Sequence, residues 1–348
     1  MYRDATVAVV VPAYNEAEHV GDVLTSIPRF VDRVYAIDDQ STDGTWDEIC
    51  RVVSETADID ASDDSAPPAG HRDPDPPEED ATDSRVEDAV PPATDGGTVP
   101  PDIVPIRHEE NRGAGGALKT GFERAREEQM DVTVTLDADG QMDPDQMDDL
   151  VEPVATGEAA YAKGNRLADQ EYRAEMPTFR LVGNWLLSTL TKVASGYWNV
   201  MDSQNGYTAI SHRALRALDL ESLGDDHEYT NDILVQLNVE GFDVVDVPMA
   251  AEYGEEDSTI SLTGFVPQTS LALLQGFLWR LKERYVARDF HPLSLFYGIG
   301  AVAVLAGILR QLFRREDDGS VLLTLQGTFL VLMGMVLDRR ENQREGGE

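Results

Sequence analysis

The stretch V-T-V-T-L-D-A-D-G at residues 132–140 decides the fold class of this sequence. Its first five residues are apolar or β-branched, which is typical of a strand buried inside a sheet. Asp137 and Asp139 follow at once, with only Ala138 between them. Because α/β sheets bind ligands at the carboxyl ends of their parallel strands, this pair of carboxylates predicts a binding site.

The sequence around this stretch alternates strand and helix patterns. Valine-rich apolar runs at residues 6–11 and 34–37 predict buried strands, and apolar residues at helical spacing in residues 18–27 and 45–53 predict helices. Such alternation predicts a mostly parallel sheet. Further strands are expected at residues 103–106, 161–164, 207–211 and 244–247, and further helices at residues 115–127, 144–151, 179–194 and 231–240. One α/β domain should span residues 1–260.

A change of composition interrupts this domain at residues 56–102. The segment consists largely of Pro, Asp, Glu, Ala and Ser. Such a segment buries too little apolar surface to offset its ordering entropy, so we expect a disordered acidic insertion. Deleting it should leave activity intact.

The charge of the chain limits its partners and its source. The 348 residues include 65 acidic and 28 basic side chains, for a net charge of -37. Such a surface repels phosphate backbones and therefore excludes nucleic acid as a partner. It favours a halophilic source, where salt screens the repulsion. The single cysteine, Cys50, excludes an intrachain disulfide and a zinc cluster, and we expect it to be a small core residue.

The carboxyl-terminal part has a different character. Residues 293–309 and 321–337 are uncharged and mostly apolar, near the lower length limit for crossing a bilayer. They predict a transmembrane hairpin over residues 291–338, followed by a cytoplasmic tail at residues 339–348. A hairpin buried in a soluble protein is the alternative. We expect a two-span membrane protein whose amino-terminal domain lies in the cytoplasm.

An amphipathic segment at residues 261–290 precedes the hairpin. Its apolar face consists of Leu271, Leu274, Leu278, Leu281 and Tyr285. The accompanying aromatic and basic residues are Trp279, Arg280, Lys282, Arg284 and Arg288. This combination suits a helix lying in the membrane interface. Packing against the catalytic domain is the alternative.

The chemistry predicted at the strand ends is metal-assisted binding of a diphosphate. The oxygens of Asp137 and Asp139 can converge on one Mg²⁺ or Mn²⁺ that keeps positions for phosphate oxygens and water. Two earlier strands end in V-P-A-Y-N-E at residues 11–16 and D-D-Q-S-T-D-G-T at residues 38–45. There Asp38 and Asp39 can accept hydrogen bonds from a nucleobase or ribose, whereas Asp43 reads as a helix cap.

These three motifs, in this order, resemble family 2 glycosyltransferases with the GT-A fold, over residues 6–260 apart from the insertion. The chain most resembles polyprenyl- and dolichyl-phosphate hexose synthases. The finer match lies in H-E-E-N-R-G (108–113), K-G-N-R (163–166), D-S-Q-N-G-Y (202–207), N-D (231–232), Y-G-E-E (253–256) and the hairpin. Ala114 stands where relatives often carry a lysine, and Tyr207-Thr208 replaces Phe-Arg, so the acceptor phosphate needs another arginine.

The motifs and the resemblance together assign the candidate site residues. Those for the donor are Pro12, Tyr14, Glu16, Asp38, Asp39, Asn111, Gly113, Asp137 and Ala138. Asp137 and Asp139 are the metal ligands, and Asp139 and Asp232 the catalytic residues. Arg166, Arg180, Asp202 and Gln204 are expected to bind the acceptor or its phosphate. A surface ion pair remains an alternative for Arg180, and a plain helix-starting turn for the glycine-rich loop at residues 111–116.

The reaction that the resemblance implies is one inverting displacement of a hexose from GDP-mannose or UDP-glucose onto a polyprenyl or dolichyl phosphate. The sequence is compatible with an oligomer. A family 2 transferase with a non-lipid acceptor is an alternative, although the Gln-x-x-Arg-Trp motif of processive synthases is absent. A membrane-tethered inactive scaffold is a second alternative. A sugar nucleotidyltransferase is disfavoured, because residues 12–16 replace its glycine-rich, arginine-containing loop.

Overall fold

A computed structural model describes residues 1–63, 100–168, 178–226, 228–250, 262–288, 290–313 and 318–345. Within these ranges the side chains of residues 58–63, 178–184, 262–268, 318 and 343–345 are not described. The predicted insertion therefore lies largely outside the described residues, as does the Y-G-E-E motif at residues 253–256.

Seven strands form one mixed sheet. They are β1 (Val7–Ala13), β2 (Arg33–Asp38), β3 (Asp102–Arg107), β4 (Val132–Thr135), β5 (Tyr161–Asn165), β6 (Thr208–Ser211) and β7 (Val244–Pro248). Their order is β3-β2-β1-β4-β6-β5-β7. Neighbours pair in parallel, except that β6 is antiparallel to both β4 and β5. The predicted α/β class with a mostly parallel sheet is confirmed.

The helices agree with the predicted positions and add one short element. They are α1 (Val20–Ser26), α2 (Thr45–Asp63), α3 (Gly113–Glu127), α4 (Met147–Ala155), α5 (Thr178–Ser195), α6 (His212–Ala217), α7 (Tyr229–Val239), α8 (Leu262–Lys282), α9 (Leu293–Phe313) and α10 (Asp318–Glu345). The expected boundary of the insertion at residue 56 is wrong, because α2 continues to Asp63. Residues 56–63 contain neither proline nor glycine, so nothing in them breaks the helix.

Both faces of the sheet are covered by helices. Alternate residues of β1 point to opposite sides, so Val9 joins the core under α1, α2 and α4, while Val10 joins the core under α3, α6 and α7. Helix α3 lies very close to the sheet at Gly121, where an added Cβ atom would come 2.2 Å from Val10 Cγ1. Burial on both faces leaves the strand ends as the accessible edge of the sheet.

Helices α9 and α10 form an antiparallel hairpin with long, apolar and exposed surfaces. The segments Leu293–Phe313 and Gly319–Asn342 have mean hydropathies of 1.8 and 2.0 and are long enough to cross a membrane. Only 22% and 17% of their most apolar windows are buried. A helix in the core of a soluble protein would be mostly buried, so this exposure disfavours the soluble alternative.

Helix α8 divides its apolar residues between solvent and protein. Leu271, Leu274 and Leu278 are 56%, 52% and 55% exposed. The helix continues as a π-helical turn at Glu283–Arg288, where Tyr285 is buried with Leu281 packed beside it. The residues expected to form one apolar face therefore have two different environments. Leu271, Leu274 and Leu278 are exposed, whereas Leu281 and Tyr285 pack against the protein.

Candidate functional site

The carboxyl ends of β1, β2 and β4 lie along one edge of the sheet, because these strands are parallel neighbours. A small cavity of about 70 Å³ opens at this edge. Its lining includes Asp137, Asp139, Arg166 and Gln204, which sequence analysis assigned to the metal, the catalytic step and the acceptor. Four candidate residues from three separate motifs are thus brought together.

Electrostatics at this cavity favour a cation. Burial, and secondly the charge of Asp139, raise the pKa of Asp137 to about 7. Among the described residues no group of three or more His, Cys, Asp or Glu side chains is arranged to hold a metal ion. The chain therefore offers a pair of carboxylates rather than a full cage. That is the donor set with which Mg²⁺ binds alongside substrate phosphates, so the residues fit the predicted ion.

The D-x-D turn has its own support. Gly140 adopts a positive φ of 71°, and the Gln141 amide donates to Asp139 Oδ1 at 3.0 Å. Gly206 lies against the pair from the other side, where an added Cβ atom would come 3.2 Å from both Asp137 Oδ2 and the Tyr229 hydroxyl. A side chain at position 206 would crowd the carboxylate, which explains glycine there. Sequence analysis gave Gln141 and Tyr229 no role.

Arg166 is held in place by Asp202. Its Nε and Nη2 atoms donate to Asp202 Oδ2 and Oδ1 at 2.7 and 3.0 Å, and its backbone amide donates to Oδ2 at 3.0 Å. Asp202 is fully buried and has a positive φ of 47°. We expected Asp202 to line the sugar or acceptor pocket; in this structure its carboxylate faces Arg166 instead.

Lys163 is a site neighbour to which sequence analysis gave no role. It is fully buried, and its Nζ donates to the carbonyl of Asn205. Burial lowers the pKa of Lys163 to about 8, partly opposed by the charges of Asp202 and Asp246. Burial likewise raises the pKa of Asp246 to about 7. The sequence signal that could have identified Lys163 as a site residue was its place in K-G-N-R, three residues before Arg166.

Asp38 and Asp39 are both buried and have protein partners. Arg107 Nε lies 3.0 Å from Asp38 Oδ2, and the Ser41 amide donates to Asp38 Oδ1 at 3.0 Å. The Asp39 carboxylate faces His108 Nδ1 at 2.7 Å. It also accepts from the Arg112 amide at 2.9 and 3.0 Å. Both carboxylates thus order the loops at this edge, and their role in donor binding stays a prediction.

The loop after β1 is ordered by contacts to the loop after β2. Asn15 has a positive φ of 59°, and its Oδ1 accepts from the Thr42 amide at 2.9 Å. Asp43 Oδ1 accepts from the amide of Thr45, the first residue of α2, at 2.9 Å, which confirms its structural role. Among the remaining donor-binding candidates, Pro12 is partly exposed, Tyr14 is 49% exposed and Ala138 is buried. The charge of Glu16, the last of them, contributes to raising the pKa of Asp137.

The glycine-rich loop before α3 is engaged by the protein. Asn111 Nδ2 donates to the Asp39 carbonyl at 3.1 Å, and its Oδ1 accepts from the Gly113 amide at 3.2 Å. The Gly115 and Gly116 amides both donate to the Asp225 carbonyl, at 2.7 and 3.2 Å. Phosphate binding by this loop stays a prediction, and it requires these amides to exchange partners.

Asp232 does not line the cavity that contains the D-x-D pair. It lines a second cavity of about 540 Å³, together with Gly224, Glu228 and, from α8, Trp279. The Gly224 amide donates to Asp232 Oδ2 at 2.9 Å, and burial raises the pKa of Asp232. Tyr229, one turn earlier in α7, lies near Asp137, since a Cβ atom added at Gly206 would be 3.2 Å from the Tyr229 hydroxyl and from Asp137 Oδ2. The side chain of Arg180 lies outside the described side chains.

Known proteins resemble the chain in sequence. The profile described as "Glycosyl transferase family 2" matches residues 79–219, which include β3 to β6 and the D-x-D pair. The UDP-N-acetylglucosamine–dolichyl-phosphate N-acetylglucosaminyltransferase of Methanococcus voltae is 34% identical over 44% of this chain. The match spans 61% of that relative, less than two thirds of its length.

A second relative matches over a longer stretch. The undecaprenyl-phosphate mannosyltransferase of Micrococcus luteus is 26% identical over 74% of this chain and 89% of its own length. The crystal structure of glucosyl-3-phosphoglycerate synthase from Mycobacterium tuberculosis, in complex with Mn²⁺, UDP and phosphoglyceric acid, has a TM-score of 0.50 at 16% identity. It covers 80% of this chain and 78% of that one, which supports the GT-A fold class. Together with the site at the sheet edge, these matches show that the chain contains a glycosyl transferase family 2 domain.

Proposed function

We propose that this chain is an inverting hexosyltransferase that moves a sugar from a nucleotide-sugar donor to a polyprenyl or dolichyl phosphate. GDP-mannose and UDP-glucose are the donors expected from the sequence. The name of the Methanococcus voltae relative adds UDP-N-acetylglucosamine to the donors that a test must include. Both relatives described above are named for transfer to a lipid phosphate.

One observation carries the proposal: a single chain joins a carboxylate-lined cavity to a large exposed apolar surface. The two helices of the hairpin and the leucine stripe of α8, formed by Leu271, Leu274 and Leu278, contribute this surface. Exposed apolar area of this extent marks a membrane-binding site. A soluble acceptor needs no such surface, whereas the phosphate of a polyprenyl lipid lies at the membrane interface.

The proposed reaction is one displacement. An oxygen of the acceptor phosphate attacks C1 of the sugar, the bond between C1 and the diphosphate oxygen breaks, and the nucleoside diphosphate leaves. One displacement inverts the anomeric centre. No proton needs to be removed, because a phosphate monoester has a second pKa near 6 and is already anionic at neutral pH.

Asp137 and Asp139 would hold Mg²⁺ or Mn²⁺. When bound, the ion offsets the negative charge that builds up on the leaving diphosphate. Arg166 lies at the same cavity, and its guanidinium matches the geometry of phosphate oxygens. Asp202 holds that guanidinium by two parallel hydrogen bonds, so Arg166 needs little reorganisation when a phosphate arrives.

Asp232 lies in the larger cavity beside α8 and has a raised pKa. We propose that it positions the acceptor or the donor sugar rather than removing a proton. Trp279 of α8 lines the same cavity and is 41% exposed, so this cavity adjoins the surface we assign to the membrane. We also propose that the catalytic domain faces the cytoplasm, where its donor is available.

A transfer assay on membranes in high salt tests the proposal. GDP-mannose, UDP-glucose and UDP-N-acetylglucosamine, each radiolabelled, are offered separately with dolichyl phosphate and either Mg²⁺ or Mn²⁺. Label extracted into the organic phase measures lipid glycosylation. We expect metal-dependent label with one donor, loss of that label in the Asp139→Asn variant, and an inverted anomeric configuration in the product.

Other outcomes select the alternatives. Label on a soluble acceptor, with none in the organic phase, indicates a non-lipid transferase. Absence of both turnover and metal-dependent donor binding indicates an inactive scaffold. A product with retained configuration overturns the single displacement.

A further inference from the structure

Arg280 of α8 and Asp338 of α10 form a buried ion pair between two elements that are distant in sequence. Arg280 Nη1 donates to Asp338 Oδ1 at 3.0 Å and Nη2 donates to Oδ2 at 2.7 Å. Both side chains are fully buried. Two parallel bonds fix the relative direction of the guanidinium and carboxylate planes, so the contact is directional as well as electrostatic.

The same guanidinium also binds the catalytic domain. Arg280 Nε donates to the Ala194 carbonyl at 2.8 Å, and Nη2 donates to the Val193 carbonyl at 3.1 Å. Both carbonyls belong to the last turn of α5, where a helix has unpaired acceptors and a partial negative charge. One side chain therefore links the domain through α5, the amphipathic helix α8 and the second helix of the hairpin.

The Asp338 carboxylate has two further donors. The Tyr285 hydroxyl donates to Oδ1 at 2.7 Å, and Asn342 Nδ2 donates to the same oxygen at 3.0 Å. The Asn342 side chain then continues to the domain, because its Oδ1 accepts from Asn238 Nδ2 of α7 at 2.8 Å. Asp338 thus accepts hydrogen bonds from α8, from the π-helical turn that follows it, and from the next turn of α10.

Two more arginines repeat the contact along α8 and its π-helical turn. Arg284 donates to the carbonyl and the side-chain oxygen of Asn238, and Arg288 donates to the Val239 carbonyl at 3.0 Å. Spacing of four residues places Arg280, Arg284 and Arg288 on one side of the helix. These arginines, which were expected on a helix in the membrane interface, are turned toward the helix ends of the domain.

We infer that Arg280 and Asp338 are positioning residues that hold the catalytic domain in one orientation on the hairpin, so that a lipid phosphate at the membrane surface meets the pocket. This inference rests on the proposed function for its consequence in transfer, but the fixed orientation itself does not. Burying an ion pair is a poor way to gain stability, whereas its geometry selects a single arrangement. Loss of the pair removes the side chain that joins α5, α8 and α10, so the remaining contacts of Asn342, Arg284 and Arg288 with α7 allow the hairpin to tilt.

Distance measurements between spin labels test the orientation without requiring activity. The full chain, with Cys50→Ser, carries labels at Glu123→Cys on α3 and Leu312→Cys near the end of α9, both exposed positions. It is placed in vesicles of phosphatidylglycerol and phosphatidylcholine in molar KCl. We expect one narrow distance distribution for the parent and a broad one after Asp338→Asn.

The double variant Arg280→Leu with Asp338→Leu separates orientation from folding. It removes both charges together, so no charge is left buried and unpaired, and it keeps the variant testable if Asp338→Asn fails to fold. The matched control is Arg51→Met, since Arg51 donates to Glu48 through Nε and Nη2 at 3.0 and 2.6 Å on an exposed surface. A broad distribution is expected for the double variant, and a narrow one for the control. A narrow distribution in the folded double variant overturns the inference.

The transfer assay then measures the consequence. We expect the KM for dolichyl phosphate to rise by about 10- to 100-fold in the double variant, because only a small fraction of tilted molecules would present the pocket to the lipid phosphate. Donor affinity should stay unchanged. A broad distribution with unchanged KM overturns the positioning role. If the parent itself transfers no sugar, the proposed function fails, while the distance distributions still decide whether the pair fixes the orientation.

Discussion

At the residue scale, the site consists of charges whose partners define their roles. Arg166 is bound by Asp202, Lys163 lies among Asp202 and Asp246, and the Asp137–Asp139 pair carries the charge that a cation would offset. The negative net charge of the chain makes Arg166 and Lys163 important, because an anionic donor must reach a site on a strongly acidic protein.

Replacement of the two candidate catalytic carboxylates should have unequal effects. We expect Asp139→Asn to lower kcat by about 10²- to 10³-fold, as loss of a preorganised charge at a reacting group does. Asp232→Asn should lower it by less than about 10²-fold, since the anionic acceptor needs no general base. Transfer assays on both variants, with the exposed Glu158→Gln as control, measure the difference. Equal losses with intact folds would show that Asp232 is a true base.

Asp246 should make stability depend on pH. Its pKa is raised to about 7, so the folded chain holds a proton that the unfolded chain, with a pKa near 4, releases earlier. Its contribution is fully present below about pH 4 and is lost as the pH rises through 7. The free energy of unfolding of Asp246→Asn minus that of wild type should therefore be about 1–2 kcal/mol larger at pH 8 than at pH 5. One pKa unit corresponds to about 1.4 kcal/mol, and we expect the charge of Lys163 to offset part of the effect.

Denaturant unfolding of wild type and Asp246→Asn at pH 5 and pH 8, in the same salt, measures this change. A difference between the two proteins that is the same at both pH values would contradict the raised pKa.

At the element scale, the hairpin depends on glycines where its helices cross. A Cβ atom added at Gly327 would come 2.6 Å from the Val304 amide nitrogen and 2.7 Å from the Gly300 carbonyl oxygen. Both atoms belong to the backbone of α9 and cannot rotate away. Small residues are what permits such close approach between membrane helices.

Gly327→Val should therefore force the two helices apart and destabilise the hairpin by about 1–3 kcal/mol, the usual effect of overpacking. The matched control is Gly298→Val, because an added Cβ atom at Gly298 meets nothing within 4 Å. Thermal unfolding in detergent micelles compares the two variants. Equal transition midpoints would argue against close packing of α9 on α10.

At the scale of the whole molecule, the net charge of -37 should make stability depend on salt. The screening length falls from about 10 Å at 0.1 M to about 3 Å at 1 M salt, which weakens repulsion among surface carboxylates. We expect the Tm to rise steadily from 0.1 M to molar KCl. Equal Tm values across the series would refute the halophilic interpretation, and sucrose as a neutral osmolyte distinguishes screening from exclusion of solute from the surface.

The elements that local pattern defines were predictable from the sequence. The valine runs of β1 and β4, the helical spacing in α3 and the long uncharged segments of α9 and α10 each depend on neighbouring residues in the chain, and the structure confirms them. The D-x-D pair was predictable for the same reason, since a strand and the turn that follows it determine which edge of the sheet the carboxylates occupy.

The boundary of α2 and the direction of β6 were not predictable in this way. An acidic sequence without proline or glycine is compatible with either helix or coil, and tertiary contacts at the start of α2 favour the helix. A strand of four residues shows no sign of its direction, because direction depends on the path of the chain before it.

Pairings across the molecule were decided only by the tertiary structure. Arg166 was expected at the acceptor phosphate and Arg280 on a helix in the membrane interface, yet Asp202 and Asp338 bind them in the folded chain. A charged residue specifies what it can bind, but the partner it binds depends on which elements pack side by side. Local period determined the sheet edge and the hairpin, and the resemblance of the ordered motifs indicated the family. Long-range packing decided the orientation of each arginine and placed Asp232 in a separate cavity.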